Sequence, residues 1–367
     1  RARGRLPRFV WYYLDSATGT EATMARNRGA LDAIGFRPAI LAGEVEADLS
    51  VRLMGRDYAL PFGVSPVGMS ALVWPDAERI LARLARAERI PYTLATVAAR
   101  EPEYVGPHVG DQGWFQLYPP RDPEIRADML RRVKAAGFHT LVLTADVPAA
   151  SRRERQRRGG VTHPPRLSPR ILAQVALRPA WALATLREGM PRLRFVESYT
   201  GRTGAMPTTA HVGYLIRISP DWEYLTWLRD NWDGPLVVKG VLEPGDAVRI
   251  RDLGVDAVWV SNHAGRQFDA APASIEVLPS IRAAVGPDYP LIFDSGVRGG
   301  LDILRALALG ADFVMLGRAF HYGIAAFGAR GAAHVVHILR EDLKANLGQM
   351  GLASYRGLQD RLRENKT

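Results

Sequence analysis

The chain has 367 residues, 47% of them hydrophobic and 23% charged, a balance found in folded globular proteins. It contains no cysteine, which excludes disulfides, thiolate nucleophiles, cysteine-held zinc and iron–sulfur clusters. The net charge of +10 favours anionic small molecules, acidic lipid or nucleic acid as partners, against the plainer alternative of an arginine-rich composition.

The start, "RARGRLPRFV", is basic without an apolar core, so no signal peptide is expected. No run approaches the roughly 18 to 20 apolar residues that span a bilayer. The first 50 or so residues are expected to form helices that close the bottom or side of the main body. Eight short apolar runs come next: "LPFGVSPVG" (60–68), "PYTLATV" (91–97), "GWFQLY" (113–118), "TLVLTADV" (140–147), "PLVVKG" (235–240), "AVWVSNH" (257–263), "LIFDSG" (291–296) and "FVMLGR" (313–318). Each is apolar on both sides of its alternation, as strands covered on both faces should be. Helical patterns such as "DAERILARLARAERI", "RADMLRRVKAAG", "PGDAVRIRDLG" and "GLDILRALALG" lie between them. The last two end in Gly, the usual residue just past a helix. Eight strand–helix units in series predict an α/β fold of the (β/α)8 TIM-barrel type. The expected layout is one domain over 1–367: an N-terminal helical extension (1–55), a barrel (56–345) and a long insertion after the fourth strand (150–220). An irregular insertion at the catalytic face of a barrel reads as a lid or a partner-binding element.

Barrel chemistry sits at the C-terminal ends of the strands. Those ends carry "SPVG", "AT", Gln116 and Tyr118, Thr144 and Asp146, Lys239, Ser261 and His263 with Arg266, Asp294 with Arg298, and Gly317 with Arg318. All would face one volume. "DSGVRGG" and "LGRAF" are Gly-rich turns with an arginine each, after strands seven and eight, where barrels bind phosphate on backbone N–H groups and a helix N-terminus. The remaining histidines (His108, His139, His163, His211, His321, His334 and His337) read as surface, lid or packing residues.

The stretch "SNHAGRQFDAAPASIEVLPSI", with "LTADVPAASRRERQRRGG", "FQLYPPRD", "LVVKGVLEPGDA" and "FDSGVRGGLDILRALALGADFVMLGRAF", resembles the FMN-dependent α-hydroxy-acid dehydrogenases and oxidases. The resemblance runs from "FVWYYLDSATGTEATMARNRGALDAIGFRP" to the last helices. It implies FMN as cofactor, a small 2-hydroxy acid as substrate, and no metal. It implies that His263 is the catalytic base and Asp146 its paired carboxylate. Arg266 and Arg153 (with Arg152 its neighbour) match the arginines that bind the substrate carboxylate. Tyr13, chosen over Tyr12, and Tyr118 match tyrosines that contact the carboxylate and hydroxyl. Lys239 matches the lysine beside flavin N1 and O2. Gln116, Thr144 and Ser261 match polar contacts to the flavin ring, and Pro66, Val67, Gly68 and Ala95 its apolar edge. Asp294, Gly296, Arg298, Gly317 and Arg318 match contacts to the ribityl chain and phosphate.

Such chemistry suits these residue types. Arginine grips a carboxylate with two charge-assisted hydrogen bonds, which lysine does not match. A histidine that takes a proton becomes positive, and a nearby carboxylate stabilises that charge. A cation about 4 Å from the reduced ring is worth on the order of 4 kcal/mol at an effective dielectric of 20.

Three residues depart from the family pattern: Ala264 and Ser295 where glycines are usual, and Ala95 where many members have serine. The Ala264 methyl is expected to tighten the pocket beside the base, and Ser295 to leave the phosphate site intact. "SPVG" is similar to the "PTG" of membrane dehydrogenases, which favours a quinone or another carrier as electron acceptor over oxygen. The insertion "PPRLSPRILAQVALRPAWALATLREGMPRLRF" is basic and partly amphipathic, as a surface-lying membrane segment or an ordinary lid helix would be. Val97, where glycolate oxidase has Trp, suggests a roomy substrate pocket, for lactate, mandelate or a longer 2-hydroxy acid. A cytoplasmic location, peripheral on the inner face of the membrane, and a homo-oligomer (a tetramer, by resemblance) are expected. The alternatives are a soluble oxidase that makes hydrogen peroxide and an FMN-binding module without turnover. A nucleic-acid partner is not expected, since the arginines lack interleaved aromatics.

Overall fold

The structure, a computed structural model, describes residues 1–160, 168–199 and 218–363. Strands β1 (Val51–Leu53) and β2 (Arg56–Tyr58) form an antiparallel hairpin. Its two-residue turn, Met54-Gly55, has positive φ at both positions, 46° and 78°, the geometry that matches the twist of a tight hairpin. The eight apolar runs then supply β3 (Phe62–Val64), β4 (Tyr92–Ala95), β5 (Gly113–Leu117), β6 (Thr140–Thr144), β7 (Leu236–Val241), β8 (Ala257–Val260), β9 (Leu291–Phe293) and β10 (Phe313–Leu316). All pair in parallel, and β10 closes on β3. Every residue of these strands is buried except Gly240. The predicted TIM barrel is the fold.

Two apolar layers hold it. Inside the barrel, Trp114, Val142, Val237, Trp259, Ile292 and Phe313 pack together. Outside, the other face of each strand packs on helices: Ala77–Glu88, for example, buries Leu81, Ala82, Leu84 and Ala85 on one side. Burial of each such leucine contributes about 1.5–3 kcal/mol. The helices start where their sequences say. Asp122 caps Pro123–Ala135 by accepting the N–H groups of Glu124 (2.8 Å) and Ile125 (3.3 Å), with Pro123 in the first turn. Gly254 (φ 77°) and Gly310 (φ 105°) follow the ends of Pro244–Asp252 and Gly300–Ala308, as expected.

The N-terminal part differs from expectation. Helices Ala2–Arg5, Arg8–Asp15 and Ala22–Asp32 are present, but residues 33–50 contain no helix. The bottom of the barrel is closed by the hairpin, not by these helices. Tyr58 accepts the indole N–H of Trp114 at 3.2 Å and its ring packs 5.6 Å from Phe313. Helices Arg8–Asp15 and Ala22–Asp32 instead line the catalytic face, where the carbonyls of Tyr13, Leu14 and Ser16 accept from arginines. The connection from β6 to β7 carries helices Glu154–Arg158, Pro169–Ala176, Pro179–Glu188, Arg194–Glu197 and Trp222–Asp230. His163 and His211 lie outside the described residues. Among the described residues no helix is long and apolar enough to cross a membrane.

Candidate active site

The C-terminal strand ends surround a cleft of about 1600 Å³. That exceeds the roughly 300–1,000 Å³ of an ordinary ligand pocket, so it has room for two bound molecules. Every site residue expected from the sequence lines it except Asp146 and Ser261, which stand one layer behind.

His263 follows β8. Its Nδ1 lies 2.9 Å from Asp146 Oδ1, and a carboxylate only accepts, so Nδ1 carries the proton and Nε2 is left with its lone pair. Burial lowers the His263 pKa and the Asp146 charge opposes this; the net shift is downward. Burial works to raise the Asp146 carboxyl, and the charges of His263 and Lys239 outweigh it, so it stays ionised. Asp146 owes its place to Gly240. A Cβ there would come within 2.5 Å of the aspartate Cβ and 2.6 Å of its Cγ. Gly240 (φ 105°) interrupts β7 and shifts the register between Lys239 and Val241. Sequence reasoning missed this role, although a glycine inside a strand pattern signals a bulge or a close approach.

Three guanidinium groups meet at the mouth. Arg266 donates to the backbone oxygens of Ser16 (2.5 Å), Tyr13 (3.2 Å) and Leu14 (3.5 Å). Arg318 donates to Leu14 O (3.2 Å) and Ser16 O (3.0 Å), so both arginines share the C-terminal carbonyls of helix Arg8–Asp15. That helix end is the negative pole of its dipole. Arg153 donates to Ser151 Oγ at 3.1 Å and, more weakly, to Arg266 O at 3.4 Å. No carboxylate pairs with Arg153, Arg266 or Arg318 among the described residues. Burial lowers all three pKa values, and for Arg266 the repulsion of Arg153 and Arg318 adds to it. Buried cations without counter-ions are costly unless an anion joins them.

Tyr13 donates its hydroxyl to Gly68 O at 2.7 Å. Burial raises the pKa of both Tyr13 and Tyr118, so both stay protonated as donors. Lys239 donates to Ser261 Oγ (2.7 Å) and lies 3.3 Å from Asp294 Oδ2. Arg28 belongs to the scaffold: it grips Asp302 (2.6 and 2.7 Å) and Gly296 O (3.0 Å), and Asp302 takes the N–H of Arg298 at 3.0 Å.

The cleft suits a flavin mononucleotide. Gln116 Nε2 and Ser65 Oγ are buried on its wall without a partner, which is where a polar ring would supply one. Gly68 and Gly317 keep the floor low: a Cβ would meet Val97 Cγ2 at 2.6 Å and Val67 Cγ2 at 3.3 Å. Arg298 and Arg318 stand at the turns after β9 and β10, with Gly296 at φ 94° on the first of these turns. The family description "FMN-dependent dehydrogenase" matches residues 2–364. The chain belongs to this family.

It is therefore an FMN-dependent oxidoreductase acting on CH–OH donors. It is 37% identical over 355 residues to an L-lactate dehydrogenase of Pseudomonas aeruginosa, covering 96% of this chain and 93% of that one. It superposes on a monotopic membrane protein, (S)-mandelate dehydrogenase, with a TM-score of 0.93 at 35% identity over 99% of this chain and 97% of the other. A lactate oxidase structure of Pediococcus acidilactici matches with a TM-score of 0.85 at 26% identity, over 100% and 93% of the two chains. A dehydrogenase and an oxidase thus share its architecture.

Proposed function

We propose that this FMN-dependent dehydrogenase oxidises an L-2-hydroxy acid of the lactate or mandelate class to the 2-keto acid. The observation that carries the reading is the set of part-buried guanidinium groups without carboxylate partners among the described residues, beside a neutral imidazole held by Asp146. Arg266 and Arg153 bind the substrate carboxylate, and Tyr13 and Tyr118 donate to it and to the hydroxyl. When bound, FMN would supply the sink for two electrons and one of the two protons that leave the CH–OH group. His263 Nε2 accepts the other proton, and Asp146 stabilises the resulting imidazolium. Lys239, held by Ser261 and Asp294, supplies positive charge to the cleft wall. Arg298, Arg318 and the Gly296 turn would hold the FMN phosphate. Positioning of the α-carbon by the two arginines is itself part of the rate.

The electron acceptor in this reading is a quinone or a similar carrier at a membrane surface. Support comes from helices Pro169–Ala176 and Pro179–Glu188. Trp181 pins them by donating to Leu72 O at 3.1 Å, and Gln174 accepts the N–H of Phe9 at 2.9 Å. Their outer side exposes Leu172, Leu177, Leu183, Leu186 and Met190 among Arg170, Arg178 and Arg187. An apolar face rimmed by arginine fits an anionic lipid surface. A soluble oxidase reading is supported by the likeness to lactate oxidase and mandelate oxidase structures.

Anaerobic mixing of the yellow protein with L-lactate and (S)-mandelate tests the proposal. Bleaching of the flavin absorbance by at least one of them is expected, with reoxidation by a quinone faster than by air. No bleaching with either acid sinks it; rapid peroxide formation in air assigns the oxidase.

A further inference from the structure

The turn that carries His263 passes through the left-handed region at three successive residues, His263 (φ 55°), Ala264 (φ 55°) and Gly265 (φ 72°). Only the third is a glycine, so the backbone is strained at the other two. Such a turn persists only where its surroundings over-determine it. Here its N–H groups meet hydroxyls. His263 N donates to Ser261 Oγ at 3.0 Å, and Ala264 N donates to Ser295 Oγ at 3.1 Å. Ser295 Oγ gives its own proton to Asp294 Oδ1 at 2.7 Å and makes a longer contact, 3.4 Å, with the Asn262 N–H, whose shorter acceptor is Ser274 Oγ at 2.9 Å.

From Asp294 the path continues. Its Oδ2 lies 3.3 Å from Lys239 Nζ, and Lys239 donates to Ser261 Oγ at 2.7 Å. Since Ser261 receives the N–H of His263, the contacts close into a ring: Ala264 N–H, Ser295, Asp294, Lys239, Ser261 and His263 N–H. Ser295 itself sits at φ 90°, where a glycine would be relaxed. Its hydroxyl has used its one donor and both acceptor positions. A side chain held in a strained conformation with its polar group fully engaged is doing more than filling a phosphate turn.

We propose that Ser295 is a positioning residue for the proton transfer, fixing the His263 turn to the carboxylate that also holds Lys239. The His263 backbone and the ammonium are thereby kept in one arrangement about Ser261. The proposal rests on His263 being the base.

Ser295→Gly and Ser295→Ala, with His263→Ala beside them, test it in the FMN-loaded protein. The readouts are flavin content, melting temperature, hydrogen exchange of the peptide covering residues 258–268, and the anaerobic bleaching rate with L-lactate or (S)-mandelate. Ser295→Gly should keep its FMN and melt no lower than the parent, since glycine relaxes φ at that position. Its backbone around 262–265 should exchange faster. Bleaching should slow about ten-fold at saturating substrate, with the half-saturating concentration unchanged, as expected for one lost hydrogen bond acting on orientation. Ser295→Ala should lose rate to the same extent. Parent-like bleaching and exchange in Ser295→Gly overturn the proposal. So does a rate loss that tracks loss of FMN or of melting temperature in both variants, which would make Ser295 structural only. If His263→Ala bleaches at the parent rate, the assignment of the base falls and the proposal with it. If His263→Ala is inactive while Ser295→Gly is normal, only the role of Ser295 falls.

Discussion

Two histidines of this barrel, His263 half-buried and His321 fully buried, face opposite fates. His263 stands after β8 with Nδ1 2.9 Å from the Asp146 carboxylate. His321 lies in helix Arg318–Phe327, after β10, with Nδ1 2.8 Å from Gly317 O and Nε2 2.8 Å from Ser70 Oγ. Burial depresses both pKa values, and it takes His321 to about 4. The difference is the partner. A carboxylate stabilises an imidazolium, so His263 keeps the capacity to take a proton. A carbonyl and a hydroxyl do so far less, and His321 remains a neutral strut between the loops after β3 and β10. Burial alone therefore does not mark a catalytic histidine; burial against a charge, with the second nitrogen open to a cleft, does.

Replacement of the two residues should separate them most. His263→Gln is expected to lower the flavin-reduction rate by about 10²–10⁴-fold, the range of a general base, with FMN retained. His321→Gln should cost no more than a few-fold in that rate. Stopped-flow bleaching of both variants checks the contrast, and equal losses would break it.

The comparison sharpens at the carboxylate. Gly240→Ala places a methyl within 2.6 Å of the Asp146 Cγ and must displace it. The rate should fall about 10²-fold, the cost of misplacing a catalytic group by about 1 Å. Asp146 raises the His263 pKa, so its displacement lets that pKa fall further, and the acidic limb of the pH–rate profile should move to lower pH. A limb that stays in place would show that Asp146 does not act on the imidazole.

Gly240 also marks the limit of what the sequence discloses. The eight barrel strands were legible because they are apolar on both faces and bounded by Gly and Pro. The polar residues one or two positions past each run were legible as a site because a barrel gathers them. "VRLMGRDY" was not, since three-residue strands with charges carry too little periodicity. The N-terminal helices were foreseen, but their use was not: Arg266 and Arg318 reach carbonyls some 250 and 300 positions away in the chain. The same holds for the reciprocal amide pair of Asn27 and Asn262, at 2.9 and 2.6 Å. Ser295 read as a tolerated replacement for glycine because two of its three partners, Asn262 and Ala264, lie on another turn, after β8. Local pattern reveals what a strand end offers, not which distant group will take it.

Acid should report on the strut. Between the usual histidine pKa of 6.5 and about 4, the unfolded chain binds a proton at residue 321 that the native state refuses. Stability contributed by the neutral His321 is present above pH 6.5 and lost as pH falls toward 4. The loss is on the order of 3 kcal/mol, from about 1.4 kcal/mol per pH unit. Denaturant unfolding of the protein and of His321→Gln between pH 7 and pH 4 should show a shallower decline in the variant. Parallel curves would mean that His321 takes up its proton without unfolding the strut.

The smallest expected effect concerns backbone rather than charge. His321 sits in regular helix, whereas Ala264, next to His263, is held at φ 55° and ψ 36°. An L-residue in that region pays about 1–2 kcal/mol that glycine does not, while glycine costs about 0.4–1 kcal/mol through the freedom of the unfolded chain. Ala264→Gly should therefore stabilise the protein by about 0.5–1 kcal/mol, read as a rise of a few degrees in melting temperature. The Ala264 N–H to Ser295 Oγ contact needs only backbone, so it survives, and the bleaching rate should change less than two-fold. Destabilisation instead would mean that the methyl on the cleft wall packs against the substrate pocket strongly enough to offset the strain, which is how a strained alanine would persist beside a catalytic base.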